Sequence, residues 1–186
     1  VDLRHIPLLT TFAGSYSGPA TPELEALALR HLGSDPELAA RLVAMLRKPR
    51  SPALFDALLE ALPAGKIDCH LLLGAAASAV MPPEAPAVEP RLVQLLPSLH
   101  PAFGRHIARR LADSEYAAGE KPLIDLLRRA PLDRTMTISQ LAAQIVRFPS
   151  DAAINAVARK LIEVAALPED KAPPRSFHIR NEDIPQ

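Results

Sequence analysis

Short blocks of apolar residues at helical spacing run from residue 21 to 167, broken at frequent intervals by proline and glycine. Three successive blocks open alike, with a polar residue, a proline and a leucine two places on: Thr21-Pro22-Glu23-Leu24, Asp35-Pro36-Glu37-Leu38 and Ser51-Pro52-Ala53-Leu54. The Thr, Asp and Ser side-chain oxygens can accept the first free N–H groups of a helix. Proline at the first helical position sacrifices no hydrogen bond. The pattern predicts helices over about Pro22–Leu32, Pro36–Arg47 and Pro52–Leu62. Gly33 stops the first, and Pro63 and Gly65 stop the third. Glu23 and Glu25 sit in the first turn of the first helix, where they complement its dipole.

A fourth helix, Ile67–Val80, is apolar nearly all round and is expected to lie buried between neighbours. The prolines of Met81–Pro90 read as a loop, after which Leu92, Val93, Leu95, Leu96 and Leu99 form a fifth helix that Pro97 shortens. Pro101 opens a sixth helix reaching Asp113, and Pro122 a seventh stopped by Pro131. Thr137-Ile138-Ser139-Gln140 has the capping-box form and predicts an eighth through Phe148. Ser150 caps a ninth through Val164.

Helix starts at Pro22, Pro52, Pro90, Pro122 and Asp151 alternate with starts at Pro36, Lys66, Pro101 and Thr137, so a helical hairpin recurs with a period in the low thirties. Such a hairpin cannot bury its own apolar face and relies on its neighbours. The expected fold is all-α, an α-solenoid of about four helical hairpins plus a final helix; an irregular helical bundle is the alternative. Residues 1–20 read as an N-terminal arm, 21–167 as the repeat domain, and the proline-rich 168–186 as an extended or disordered tail. Within that tail, Ser176-Phe177-His178-Ile179-Arg180 alternates in a way that could add as a strand to a partner.

On these openings, and on paired-helix stretches such as Leu38-Ala39-Ala40-Arg41-Leu42-Val43, residues 21–167 resemble the HEAT and armadillo-like helical repeat proteins. The resemblance implies a curved stack that binds proteins or peptides along a groove lined by the second helix of each pair. The Asp-Val-Arg segment of short HEAT-like repeats is replaced by looser counterparts, Ala40-Arg41 and Gly104-Arg105.

Composition narrows the function. Apolar residues make up 48% of the chain and aromatic residues 4%, which suits close helix packing better than sheet. No apolar run reaches the roughly 18 residues that a membrane-spanning helix needs. The formal net charge is zero, which weighs against a dedicated nucleic-acid binder. One cysteine, Cys69, excludes an intrachain disulfide framework. Leu and Ala richness with Arg above Lys points to a GC-rich, bacterial genome. A soluble protein is expected, with the cytoplasm slightly favoured. A start at Val1 rather than Met suggests a processed protein or a piece of a longer one.

Candidate chemistry is sparse. Gly14-Ser15-Tyr16-Ser17-Gly18 places tyrosine where a nucleophile elbow needs serine. Cys69 and His70 are adjacent and diverge by about 100° on a helix, and no histidine has zinc-motif spacing. No catalytic residue, metal ligand or cofactor site is assigned. The densest basic cluster is Arg105, His106, Arg109 and Arg110, in a region (101–150) with eight Lys or Arg against five Asp or Glu. If second helices line the groove, Arg41, Arg105, Arg109, Arg110 and Arg147 are the candidate partner-binding residues, attractive to an acidic protein or peptide.

The expected function is therefore a non-catalytic protein-protein interaction or scaffold module, not an enzyme. Two alternatives stand beside it: a helical accessory domain of a larger enzyme, and a phosphate- or nucleic-acid-binding helical repeat. An accessory domain would carry its largest apolar patch on an end helix.

Overall fold

In the computed structural model, residues 21–32, 42–46, 48–62 and 69–168 are described. The N-terminal arm, Arg41, the openings at Asp35 and Lys66, the Cys69 side chain and residues 169–186 lie outside them. The described residues are helical and contain no strand: α1 Pro22–His31, α2 Pro52–Ala61, α3 Cys69–Ala77, α4 Glu89–Leu95, α5 Arg105–Asp113, α6 Glu120–Arg129, α7 Thr135–Ile145 and α8 Asp151–Ala165. Residues 42–45 are helical too, and single 3-10 turns cover Pro101–Phe103 and Ala117–Gly119. No helix among the described residues is long and apolar enough to cross a membrane.

Three of the expected caps form. Thr21 Oγ1 accepts from Leu24 N at 3.3 Å, Ser51 Oγ from Leu54 N at 3.3 Å, and Ser150 Oγ from Ala153 N at 3.0 Å. Other helix starts differ from the sequence expectation. The Pro101–Asp113 helix is divided: a 3-10 turn comes first, and α5 begins only after Gly104, where Leu126 of α6 and Leu141 of α7 close in. Helix α6 begins at Glu120 because the preceding 3-10 turn feeds directly into it. Pro122 then occupies the first turn, where a missing N–H leaves no intrahelical bond unmade. Thr137 does not cap α7. A turn closed by Arg134 N to Pro131 O (3.1 Å) starts that helix two residues earlier, which puts Thr137 inside its first turn.

Helix α5 ends without a glycine. Tyr116 N donates to Leu111 O (2.9 Å) and Glu115 N to Ala112 O (3.3 Å), the paired bonds of a Schellman motif. Its left-handed position is filled by Glu115 at φ 51°. Replacing Glu115 with glycine removes the Cβ penalty of that conformation and is expected to stabilise the protein by up to about 1 kcal/mol. A urea midpoint that stays the same or falls in Glu115→Gly would contradict this account.

Helix α3 packs against α2 on one side and α5 on the other, α5 packs on α7, and α8 packs on α6 and α7. The core forms two clusters. The smaller holds Ala28, Leu42, Val43, Met45, Leu46, Leu54, Leu58, Leu72 and Ala75; the larger holds Phe55, Leu59, Leu73 and Ala76 together with the apolar faces of α4 to α8. Helices α2 and α3 contribute to both, so the apolar interior passes through that pair. This explains why the 67–80 stretch lacks a polar face.

Side-chain bonds tie elements about one sequence period apart. Arg91 of α4 pairs with Asp56 of α2, Arg147 just after α7 with Asp113 of α5 (2.7 Å), and Ser150 at the head of α8 donates to Glu120 of α6. Three cations reach back to carbonyls at the C-terminal ends of earlier helices. Arg110 donates to Ala79 O (3.0 Å), Arg129 to Leu96 O (2.6 Å), and the buried Lys160 to Arg128 O (3.2 Å). The partners in these bonds are 30 to 35 residues apart. Each cation meets a carbonyl at or just past a helix end, where the negative end of the dipole lies; Leu96 O also accepts from Leu99 N (3.3 Å).

Candidate interaction groove

Helix α5 turns Ile107, Ala108, Leu111 and Ala112 into the core, which leaves Arg105, Arg109 and Asp113 on its outer face at i, i+4 and i+8. Beside it, α3 buries Leu72, Leu73, Ala75 and Ala76 and turns Leu71, Gly74 and Ser78 outward. Two adjoining cavities lie along this pair of helices. One, of about 540 Å³, is lined by Lys48, Ala77, Ser78, Val80, His106, Arg109, Arg110, Asp113 and Ser114. The other, of about 360 Å³, reaches past Gly74 and Ala75 to Val43, Leu46, His70 and Arg105. Ser78 and His106 belong to both walls, so the cavities adjoin, and the pair is termed the groove. Its wall combines small and apolar residues with Ser78, Ser114 and the cations Lys48, Arg105, Arg109 and Arg110.

The sequence-predicted arginines take different positions around this groove. Arg105 and Arg109 stand on its rim, the latter with 76% of its side chain exposed and only a long contact (3.6 Å) to Asp113. Arg147 reaches the same Asp113 from beyond α7 and also donates to Gln144 Oε1 (3.0 Å). Arg110 lines the larger cavity, but its guanidinium is committed to Glu89 at 2.8 Å and to Ala79 O. The helical period accounts for the difference. Arg109 follows Arg105 by four residues and shares its face, whereas Arg110 is turned by about another 100° toward α4. Arg41 lies outside the described residues.

Two groove residues were not among the candidates. Lys48, just before Pro49, carried no signal in the sequence; it is placed here because Val80 N donates to Pro49 O (2.9 Å) and holds that segment against the end of α3. His106 had been counted only as part of a basic cluster. Its Nε2 accepts a hydrogen bond from Arg105 Nε (3.2 Å), which requires that nitrogen to be unprotonated. Burial, then the neighbouring charges of Arg105, His70 and Arg109, hold its pKa below the usual histidine value. His70 stands edge-on to Phe103 at 4.7 Å and to His106 at 6.2 Å.

Among the described residues, no three His, Cys, Asp or Glu side chains come together to hold a metal ion. Glu25, expected to serve the α1 dipole, is instead buried and accepts from Arg50 N at 2.7 Å. A second surface feature lies on α8, where Ile154, Leu161 and Ile162 are 56%, 50% and 67% exposed on one side of the helix. Comparison with protein-family models, with curated proteins and with solved structures gave no match to this chain.

Proposed function

We propose that this chain is a non-catalytic interaction module, a HEAT-like stack of helical hairpins that binds a partner protein along the groove beside α3 and α5. The observation that carries the reading is the groove itself, two adjoining cavities that combine small and apolar wall residues with the cations Lys48, Arg105 and Arg109. The stacked arrangement is supported by the bonds between elements 30 to 35 residues apart, which repeat the spacing of the helix starts. It is supported further by the direct packing of α3 on α5 and α5 on α7, the second helices of successive pairs.

Reversing charge on the rim tests this. Arg105→Glu with Arg109→Glu alters exposed side chains and is expected to leave the melting temperature nearly unchanged. Partner recovered from a lysate should fall at least about tenfold, the loss expected from a few rim charges turned repulsive. Undiminished recovery would remove the groove from the interaction.

The apolar stripe on α8 favours a second reading, a helical accessory domain docked on a larger assembly through its last helix. In that case Leu161→Glu with Ile162→Glu, not the arginine pair, would abolish recovery.

A further inference from the structure

We infer that the occupant of the α3–α5 groove is an acidic peptide segment, whose carboxylates pair with Lys48, Arg105 and Arg109 and whose binding draws a proton onto His106. The inference rests on the reading of the groove as the interaction surface, and it adds the partner's chemistry and a proton that travels with it.

Charge complementarity is the first argument. Lys48, Arg105 and Arg109 surround the groove, while among the described residues Asp113 is the one carboxylate lining either cavity. That carboxylate already shows how the surface is used, since it draws Arg109 of α5 and Arg147 from just after α7 toward one point. A peptide carboxylate at Arg105 and Lys48 would be held by the same kind of charge pairing. The zero net charge of the chain argues for a peptide rather than a nucleic acid, and Gly74, Ala75 and Ala77 leave room in the wall for a side-chain-bearing backbone.

His106 supplies the second argument. It sits in the wall shared by both cavities, and its Nε2 holds the Arg105 guanidinium by accepting from Nε. The groups facing it are Arg105 and Arg109 from its own helix and His70 from α3, with Lys48, Arg110 and Asp113 around the same cavity. In the free protein burial, and then these neighbours, lower its pKa and so favour the neutral imidazole. A carboxylate entering between Arg105 and Arg109 offsets their charge and favours the imidazolium. Protonated Nε2 can no longer accept from Arg105, so the guanidinium is released to bond the incoming carboxylate. By linkage, a ligand that raises the pKa of this imidazole binds more tightly as pH falls through the bound-state value.

The test is fluorescence anisotropy with a labelled peptide of about ten residues in which glutamate alternates with alanine. Affinity is measured at about pH 8 and about pH 6, above the range where glutamate itself titrates. Wild-type protein is expected to bind roughly 2–5 times more tightly at the lower pH, because the gain from a raised pKa is realised in full only below both the free and the bound values. In His106→Gln the ratio of the two affinities should fall to near one, and Lys48→Glu with Arg109→Glu should abolish binding at both pH values. The inference is overturned if wild type does not bind the peptide, if its affinity ignores pH, if His106→Gln keeps the gain, or if the charge-reversed protein still binds. Failure here while Arg105→Glu/Arg109→Glu still loses its lysate partner leaves the groove as the interaction surface and refutes only the acidic occupant. Failure of both refutes both.

Discussion

Leu126→Ala is expected to cost about 2–5 kcal/mol of stability, the range for deleting a fully buried leucine and leaving a cavity behind. Leu126 is 0% exposed, and its Cδ2 lies against Gly104, at the point where α6 and α7 meet the entry to α5. From the other side of the same contact, a Cβ on Gly104 would stand 2.3 Å from Leu126 Cδ2, and 3.3 Å from both Leu141 Cδ2 and Pro101 O. Gly104→Ala alone should therefore cost about 1–3 kcal/mol through overpacking. Combining the two substitutions lets the new methyl group enter the space Leu126 vacates. The double variant should be more stable than the sum of the single losses predicts, by about 1 kcal/mol. Urea unfolding of the four proteins measures this directly. Strict additivity would mean that the leucine is not what confines position 104.

Arg110→Ala should destabilise the protein by about 2 kcal/mol near neutral pH, because it strands two groups. Glu89 keeps 13% of its side chain exposed and loses its charge partner, and Ala79 O loses its donor. The pH dependence identifies which loss matters. Burial pushes the Glu89 carboxyl up, but its backbone hydrogen bond and the Arg110 guanidinium together outweigh burial and hold its pKa below the usual carboxylate value. A depressed carboxylate pKa gives stability that is present above the unfolded-state value of about 4.5 and is lost as pH falls through the folded-state value. In Arg110→Ala the guanidinium is gone and burial remains, so the carboxyl is no longer held down by it. The gap in melting temperature between wild type and Arg110→Ala should thus narrow on acidification from about pH 7 to about pH 3, most of it below about pH 4.5, where Glu89 becomes protonated first in the variant and then in the wild type. A gap that is constant over this range would assign the effect to the Ala79 carbonyl alone.

Both substitutions act on features that the sequence indicated unequally. The helices were legible because capping oxygens, prolines and apolar spacing are local signals: Thr21, Ser51 and Ser150 act within three residues of themselves, as their bonds to Leu24, Leu54 and Ala153 show. The all-α class followed from the same signals. Helix starts at Pro101, Pro122 and Thr137 were read less well. There the boundary is set by a 3-10 turn or a closed loop turn, and the hydrogen bonds that decide between these shapes differ by one or two residues. The absence of a polar face on the 67–80 stretch pointed to burial, and Leu72, Leu73, Ala75 and Ala76 are buried, but Leu71, Ser78 and Val80 are exposed.

The outer face of α5 was half legible. That Arg105 and Arg109 share a face follows from their spacing of four, a property of any helix. That Arg110 is spent on Glu89 and Ala79 depends on where α3 and α4 stand, and Lys48 enters the groove only because the Pro49 carbonyl holds its segment against Val80. Glu25 makes the same point, since a first-turn carboxylate became the buried acceptor for the Arg50 N–H. By itself the sequence determined the secondary structure and the apolar faces, whose causes lie within one helical turn. Only the tertiary structure decided which charges are paired, which stand free on a rim, and which histidine shares a wall with both cavities. Those depend on partners 20 to 35 residues away, whose distances no local pattern encodes.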